Sequence, residues 1–194
     1  MSRLDRIDSE HLLRVFAVAA IRGSVTASGG HEPEQQLRDQ MQAWGLEPAS
    51  DFNIRDVNAK ELADLCGIKP TTAQQELVKP EKSRAFDFVV PYKVVGLKPK
   101  LLVQGQFYGG DSGSVSHKNV DQTPIGRAAA RVSAVDAVFA EFLDGAGYVT
   151  ALSGDARKLL SLADTDGLIQ LRTAPVRLRE LLQRINFLTP VEVA

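Results

Sequence analysis

Two short runs of β-branched and aromatic residues lie near the middle of the chain and constrain its fold more than any other feature. The first, FDFVVPYKVVG, is interrupted by Pro91 and Gly96, and the second is KLLVQGQFY. Such runs, bounded by proline and glycine, are typical of β-strands. In the second run Gln104 and Gln106 are two residues apart, so their side chains should project from the same face. Together the runs predict an antiparallel strand pair.

Helical patterns precede this pair. Between residues 9 and 21, and again between residues 33 and 44, apolar side chains recur at the spacing of an amphipathic helix. Asn58 followed by Glu61 is a capping box, which predicts a short helix that ends at Gly67. We interpret residues 1–68 as an N-terminal helical region that supports an α/β core at residues 69–194.

Strands and helices alternate after the pair. The spacing of apolar residues predicts a long helix from Thr123 to Leu143. The segments that follow predict a strand at 147–152, a helix at 154–163, a strand at 167–173 and a helix at 175–185. This alternation predicts an α/β (α+β) fold with a mixed central sheet flanked by helices.

Composition places the chain among globular proteins. Its 194 residues, 44% of them apolar and 24% charged, are sufficient for one domain with a substantial core. No apolar stretch approaches 18 residues, and acidic side chains precede the first apolar run, so we expect neither a membrane span nor a secretory signal. The single cysteine, Cys66, excludes an internal disulfide and a cysteine-based zinc site, and it is consistent with a cytoplasmic location.

The net charge of −1 conceals an uneven distribution. Residues 1–68 carry a net charge of −4 and residues 101–194 a net charge of −1, whereas residues 69–100 hold seven basic and three acidic side chains. This basic block is compatible with a solvated lysine-rich surface or with an acidic partner such as nucleic acid. A near-neutral average therefore does not exclude DNA binding.

Asp87 at the start of the first strand can converge with Gln104 and Gln106 across an antiparallel pair. A metal-dependent nuclease requires such a set, because its cation neutralises charge on the phosphate and lowers the pKa of bound water. Oxygen ligands are those that Mg²⁺ prefers. An amide oxygen carries no full charge, so a second carboxylate is expected elsewhere in the chain. The candidates are Glu76, Asp111 and Glu141.

The segment GGDSGSVSHKN places many hydrogen-bond donors where a helix is expected to begin. Glycines allow close backbone approach, and these donors suit phosphate oxygens or base edges. The same pattern also suits a serine-capped helix after a glycine turn. The expected DNA contacts are Ser112, Ser114, Ser116, His117, Asn119 and Arg127.

The segment from Asp87 to Gln122 resembles the PD-(D/E)XK nuclease fold and, within it, the type II restriction endonucleases. The match lies in Asp87 on FDFVV, in the strand LLVQGQF and in the helix and strands that follow, and it covers about residues 70–190. The resemblance implies a restriction-endonuclease-like core. It further implies a Mg²⁺-dependent endonuclease that hydrolyses phosphodiester bonds in double-stranded DNA at a specific sequence, acting as a homodimer.

The chain departs from this family at two positions. Gln104 stands where the family has Asp or Glu, and Gln106 stands where it usually has Lys. The resemblance then implies that Asp87 and Gln104 hold the metal and that Gln106 positions the attacking water. Lys118 is the expected source of additional electrostatic support.

Two other interpretations stay open. The two glutamines also fit a non-catalytic DNA-binding module with a degenerate nuclease site. The sequence GDSGS resembles the GDSGG around the nucleophile of trypsin-like proteases, which would make Ser112 or Ser114 the nucleophile of a serine hydrolase. The several helical segments do not fit that all-β fold.

Overall fold

The computed structural model describes residues 32–79, 83–108, 114–149 and 152–189. The helix predicted at residues 9–21 lies outside these ranges, as do Asp111, Ser112 and the side chain of Ser114. In chain order the elements are α1 (Glu32–Ala43), α2 (Ala59–Leu65), α3 (Thr72–Gln75), β1 (Phe88–Val90), β2 (Leu101–Phe107), α4 (Ser114–Arg131), β3 (Val138–Asp144), a 3₁₀ turn (Ala146–Val149), α5 (Ser153–Leu160), β4 (Thr165–Ile169) and α6 (Ala174–Arg184).

The four strands form one mixed sheet in the order β1–β2–β3–β4. Strand β1 is antiparallel to β2, with Phe88 opposite Val103. Strands β2, β3 and β4 are parallel, and Gln104 of β2 lies beside Glu141 of β3. Helices α4 and α5 form the crossovers that parallel neighbours require. The predicted mixed sheet and the general α/β (α+β) class are therefore confirmed.

Helices cover both faces of this sheet. On one face Leu37 of α1 and Leu182 of α6 pack in the same cluster as Phe142 of β3. On the other face Leu62 of α2 and Ala130 of α4 pack in a cluster with the strands. Burial of such side chains stabilises the fold by about 25 cal/mol for each Å² of apolar surface removed from water.

The long helix predicted from Thr123 to Leu143 is wrong in its second half, because α4 ends at Arg131 and β3 begins at Val138. Strand β3 is buried on both faces, so its sequence is almost continuously apolar. Periodicity alone does not distinguish such a run from a buried helix. Glu141, which we expected on the helix, is instead a buried residue of β3.

The strand predicted at 147–152 is also wrong in its described part, where the chain forms the 3₁₀ turn. Gly145 has a φ of +103°, and a Cβ there would lie 2.2 Å from the carbonyl oxygen of Tyr108. Only glycine tolerates this combination of left-handed backbone and close approach. The helices predicted further along are formed as α5 and α6. The strand predicted at 167–173 is formed only in its first three residues, because β4 runs from Thr165 to Ile169.

One half of the capping box predicted at the start of α2 is formed, whereas the Glu61 carboxylate pairs with Arg55 instead. The Asn58 side chain accepts a hydrogen bond from the N–H of Glu61 (2.9 Å) and so caps α2. Cys66, at the end of α2, is a buried core residue. Within the described ranges, the helices are too short or too polar to cross a membrane.

Candidate metal centre

Asp87 directly precedes β1 and is held by main-chain hydrogen bonds. Its N–H donates to the carbonyl of Val103 on β2 (2.9 Å). Its carboxylate accepts a hydrogen bond from the N–H of Gly105 (2.6 Å). The position of this carboxylate is therefore set by the pairing of β1 with β2.

Asn53 closes the outer edge of β1. Its buried amide donates to the carbonyl of Asp87 (2.9 Å) and to that of Arg55 (2.8 Å), and its oxygen accepts from the N–H of Val89 (2.5 Å). One side chain thus supplies the hydrogen bonds that a neighbouring strand would otherwise make. The same bonds join the loop before α2 to β1 and bring Asp56 towards Asp87.

Three carboxylates from separate segments meet at this point. Glu34 lies in the first turn of α1, Asp56 in the loop before α2 and Asp87 at the start of β1. One oxygen of each lies within 4.8 Å of the others. Burial raises the pKa of Asp87 to about 7 against the opposing effects of Arg84 and the Gly105 N–H, and the charges of Glu34 and Asp56 raise it as well.

The donor set of this carboxylate trio (Glu34, Asp56 and Asp87) fits a hard divalent cation. All three ligand atoms are carboxylate oxygens, which Mg²⁺ accepts readily, and like charges at this spacing repel one another when no cation is bound. Burial is the main cause of the raised pKa of Asp87, and the charges of its acidic neighbours add to the rise.

An open groove of about 540 Å³ is lined by two members of the trio, Glu34 and Asp56. The buried Arg38 lines it, with its guanidinium over the ring of Phe88 (4.7 Å to the centroid) and 3.4 Å from the Glu34 carboxylate. Arg55 also lines it, is largely exposed and pairs with Glu61 at 2.7 Å. The groove therefore offers cationic groups beside the carboxylates, a combination that suits a phosphodiester.

Gln104 and Gln106 share one face of β2, as the two-residue spacing predicts, but Asp87 does not join them. Gly105 faces the opposite side, and a Cβ there would lie 3.5 Å from Cγ of Asp87. The Gln104 amide instead donates to the carbonyls of Arg84 (3.4 Å) and Ala85 (3.3 Å). The convergence of the two glutamines with the Asp87 carboxylate, expected from the sequence, is thus not formed.

Gln106 is buried under the 3₁₀ turn. Its oxygen accepts a hydrogen bond from the hydroxyl of Tyr148 (2.7 Å), and burial raises the pKa of that tyrosine. The Gln106 amide nitrogen has no hydrogen-bond partner within the part of the chain that the structure describes. In this conformation the side chain fastens the turn to β2.

Arg84 connects the two faces of β2. Its guanidinium donates to the carbonyl of Gly105 and lies 3.8 Å from both the Asp87 and the Glu141 carboxylates. It also donates to Thr123 on α4 (3.4 Å). A cation therefore stands beside the carboxylate trio, at a position that the sequence motif does not mark.

Arg127 and Glu141 form a buried ion pair at 2.5 Å. Arg127 also bonds the Asp164 carboxylate (2.6 Å) and the Thr165 hydroxyl (2.8 Å). Burial raises the pKa of Glu141, while Arg84 and Arg127 oppose that rise. Arg127, expected to contact DNA, thus ties α4 to β3 and β4 inside the protein, and Glu141 lies outside the trio.

The described residues at the start of α4 point in different directions. Ser116 is buried and donates to the Asp155 carboxylate (2.7 Å), whereas His117 and Lys118 are exposed. Asn119 donates to the hydroxyl of Tyr108 (3.2 Å). Of the other candidates, Glu76 is exposed and paired with Lys79, away from the trio.

No protein-family model, curated protein or solved structure matches this chain. The chemistry of the site therefore rests on the residues described above.

Sequence reasoning identified Asp87 but missed its two acidic neighbours. Glu34 and Asp56 lie in an acidic, helical part of the chain, where carboxylates are ordinary on solvated faces. A signal for Glu34 was its place in the first turn of a predicted helix. Nothing in the local pattern marked Asp56, because its position depends on the hydrogen bonds of Asn53.

Proposed function

We propose that this chain is a divalent-cation-dependent endonuclease that hydrolyses phosphodiester bonds in double-stranded DNA, with Mg²⁺ held by Glu34, Asp56 and Asp87. The observation that carries the proposal is the meeting of these three carboxylates within 4.8 Å, beside an open groove that also contains arginines. This ligand set replaces the pair Asp87 and Gln104 that the family resemblance implied.

Each part of the centre has a role that follows from its contacts. When bound, Mg²⁺ supplies Lewis-acid stabilisation of phosphate charge and lowers the pKa of coordinated water. The Gly105 N–H orients the Asp87 carboxylate, and Arg38 holds Glu34. Arg55 at the margin of the groove provides a cation for a DNA phosphate.

Gln104 and Gln106 support the site instead of ligating the metal. Gln104 binds the main chain that leads to Asp87, and Gln106 anchors the 3₁₀ turn. Arg84 takes the place of the missing lysine as a cation beside the Asp87 carboxylate, at 3.8 Å. Lys118, exposed on α4, is assigned to DNA phosphates.

The finer features of the proposal come from the family resemblance. An antiparallel strand pair followed by parallel crossover units supports a restriction-endonuclease-like core. Cleavage at a specific sequence and action as a homodimer are part of the same proposal. The free, buried Cys66 is consistent with a cytoplasmic setting.

The test combines metal binding with DNA cleavage. Isothermal titration with Mg²⁺ should show uptake by the wild type, and uptake should be lost or strongly weakened in Glu34→Gln, Asp56→Asn and Asp87→Asn. The matched control is Asp39→Asn, which removes an exposed carboxylate from the same helix as Glu34. Incubation of the wild type with plasmid and Mg²⁺ should give discrete fragments, and Asp87→Asn should give none.

A non-catalytic DNA-binding module is favoured by one observation, since both glutamines are buried away from Asp87. Duplex binding without cleavage by a metal-loaded wild type would select this second function. Absence of metal uptake, with and without DNA, would overturn the nuclease proposal.

A further inference from the structure

Asp155 is a buried carboxylate that contacts the exposed His117. It lies in the first turn of α5, and its side chain is 4% exposed. One oxygen accepts the Ser116 hydroxyl at 2.7 Å, and Nδ1 of His117 lies 2.8 Å and 3.0 Å from the two oxygens. The imidazole itself is 65% exposed. A buried group thus orients a ring that faces solvent.

This contact determines which nitrogen of the ring is offered outwards. A carboxylate only accepts hydrogen bonds, so Nδ1 carries the hydrogen that points to Asp155. In the neutral ring Nε2 is then an acceptor, and it is the nitrogen that Asp155 leaves for a ligand. The ring is therefore held in one orientation and one tautomer.

Attachment of α5 to α4 does not require the histidine. The Ser116–Asp155 hydrogen bond already joins the two helices, and Ser116 is fully buried. Ordering an exposed side chain costs conformational entropy. In metal sites, a carboxylate that accepts the second ring N–H fixes the orientation of a ligating histidine. Asp155 is placed to orient His117 in the same way.

We infer that His117, positioned by Asp155, accepts a hydrogen bond from an amino group on a base edge of bound DNA, an inference that rests on the proposed DNA substrate. Phosphate oxygens only accept hydrogen bonds, so they do not complement an Nε2 that acts as an acceptor. Cytosine N4 and adenine N6 present N–H donors in the major groove. Lys118, the next residue and also exposed, supplies the donor for a neighbouring phosphate.

The test is selection of bound duplexes from a randomised library at pH 8, with Ca²⁺ in place of Mg²⁺ to prevent cleavage. His117→Ala should reduce the preference at one base pair by about three- to tenfold, as loss of a single hydrogen bond does, and leave other positions unchanged. Asp155→Asn should change the base preference at the same base pair. Because an amide can either accept from Nδ1 or donate to it, this variant no longer confines the ring to one tautomer and should weaken the preference at that base pair.

Two variants provide controls. Ser116→Ala removes the interhelix anchor without touching the ring, so it should lower the melting temperature and leave the base preference unchanged. Lys118→Ala should weaken binding to all sequences about equally, as expected for a phosphate contact.

The inference is overturned if His117→Ala weakens binding to all duplexes equally or leaves the selected sequence unchanged. It is also overturned if the wild type selects no sequence. An unchanged preference in a folded Asp155→Asn variant overturns the positioning role. If the wild type selects a sequence but does not cleave it with Mg²⁺, the nuclease proposal fails while the role of His117 stands. If the wild type binds no duplex, both fail.

Discussion

Asp87 directly precedes β1 and Gln104 lies in the paired strand β2, yet their side chains lie on opposite sides of β2. Gly105 is the reason, because its N–H binds the Asp87 carboxylate on the side that the two glutamines leave open. On that side the carboxylate lies close to Glu34 of α1 and to Asp56 of the loop before α2. The acidic partners of Asp87 therefore come from the N-terminal part of the described chain.

Asp87 should make the metal-free protein less stable as the pH rises. Its pKa in the folded state, about 7, exceeds the ordinary value of 3.8, so the folded state binds more protons between these values. The free energy of unfolding should then fall as pH rises through this window, by about 2–4 kcal/mol from this group. Urea unfolding of the wild type and of Asp87→Asn at pH 5 and pH 8 measures the difference. An identical pH dependence in both would contradict the assignment.

Mg²⁺ should reverse this loss at pH 8. A ligand that binds only the folded state stabilises it by about 2.7 kcal/mol at one hundred times its dissociation constant. The wild type and Asp39→Asn should both gain stability on addition of Mg²⁺, whereas Glu34→Gln should gain little. Thermal unfolding with and without Mg²⁺ makes the comparison, and an equal gain in Glu34→Gln would exclude Glu34 as a ligand.

Arg127→Leu should be strongly destabilising, by about 3–5 kcal/mol, because it leaves the buried Glu141 without its closest partner. The double variant Arg127→Leu/Glu141→Leu should lose less than the sum of the two single variants. Arg177→Leu is the control, since its ion pair with Glu180 is exposed and should contribute less than about 1 kcal/mol. Urea denaturation gives the free energy of unfolding of the wild type and of the four variants, including Glu141→Leu. Similar losses in the Arg127 and Arg177 single variants would show that the buried pair is not needed.

Gly126→Ala should destabilise the protein by about 1–3 kcal/mol, since its Cβ would lie 2.7 Å from the carbonyl oxygen of Arg84. The main chain cannot yield there without displacing Arg84 and Gln104. Gly154→Ala on α5 is the matched control: its Cβ would meet no atom within 4 Å, and alanine should stabilise the helix by up to about 1 kcal/mol. Differential scanning calorimetry gives the melting temperatures of both variants. Equal values would contradict the close packing of α4 on the segment before β1.

Local interactions account for what could be predicted. The cap of α2 at Asn58, the strand β2 and the helices α5 and α6 depend on neighbouring residues or on a clear period, and each is present in the structure. Strand β3 was misassigned because burial on both faces removes the alternation by which a strand is recognised. The same burial concealed Glu141, which contacts Arg84 and Arg127 from elsewhere in the chain.

By itself, the sequence determined the mixed α/β (α+β) class and the antiparallel pair and marked Asp87 as a candidate residue, since these follow from periodicity and residue type along a short stretch. Only the tertiary structure decided which groups surround Asp87. Glu34 and Asp56 reach it through the packing of α1 on β1 and through the hydrogen bonds of Asn53, contacts between residues more than thirty positions apart. Such contacts depend on how separate elements meet, and they leave no periodic trace in the order of the amino acids.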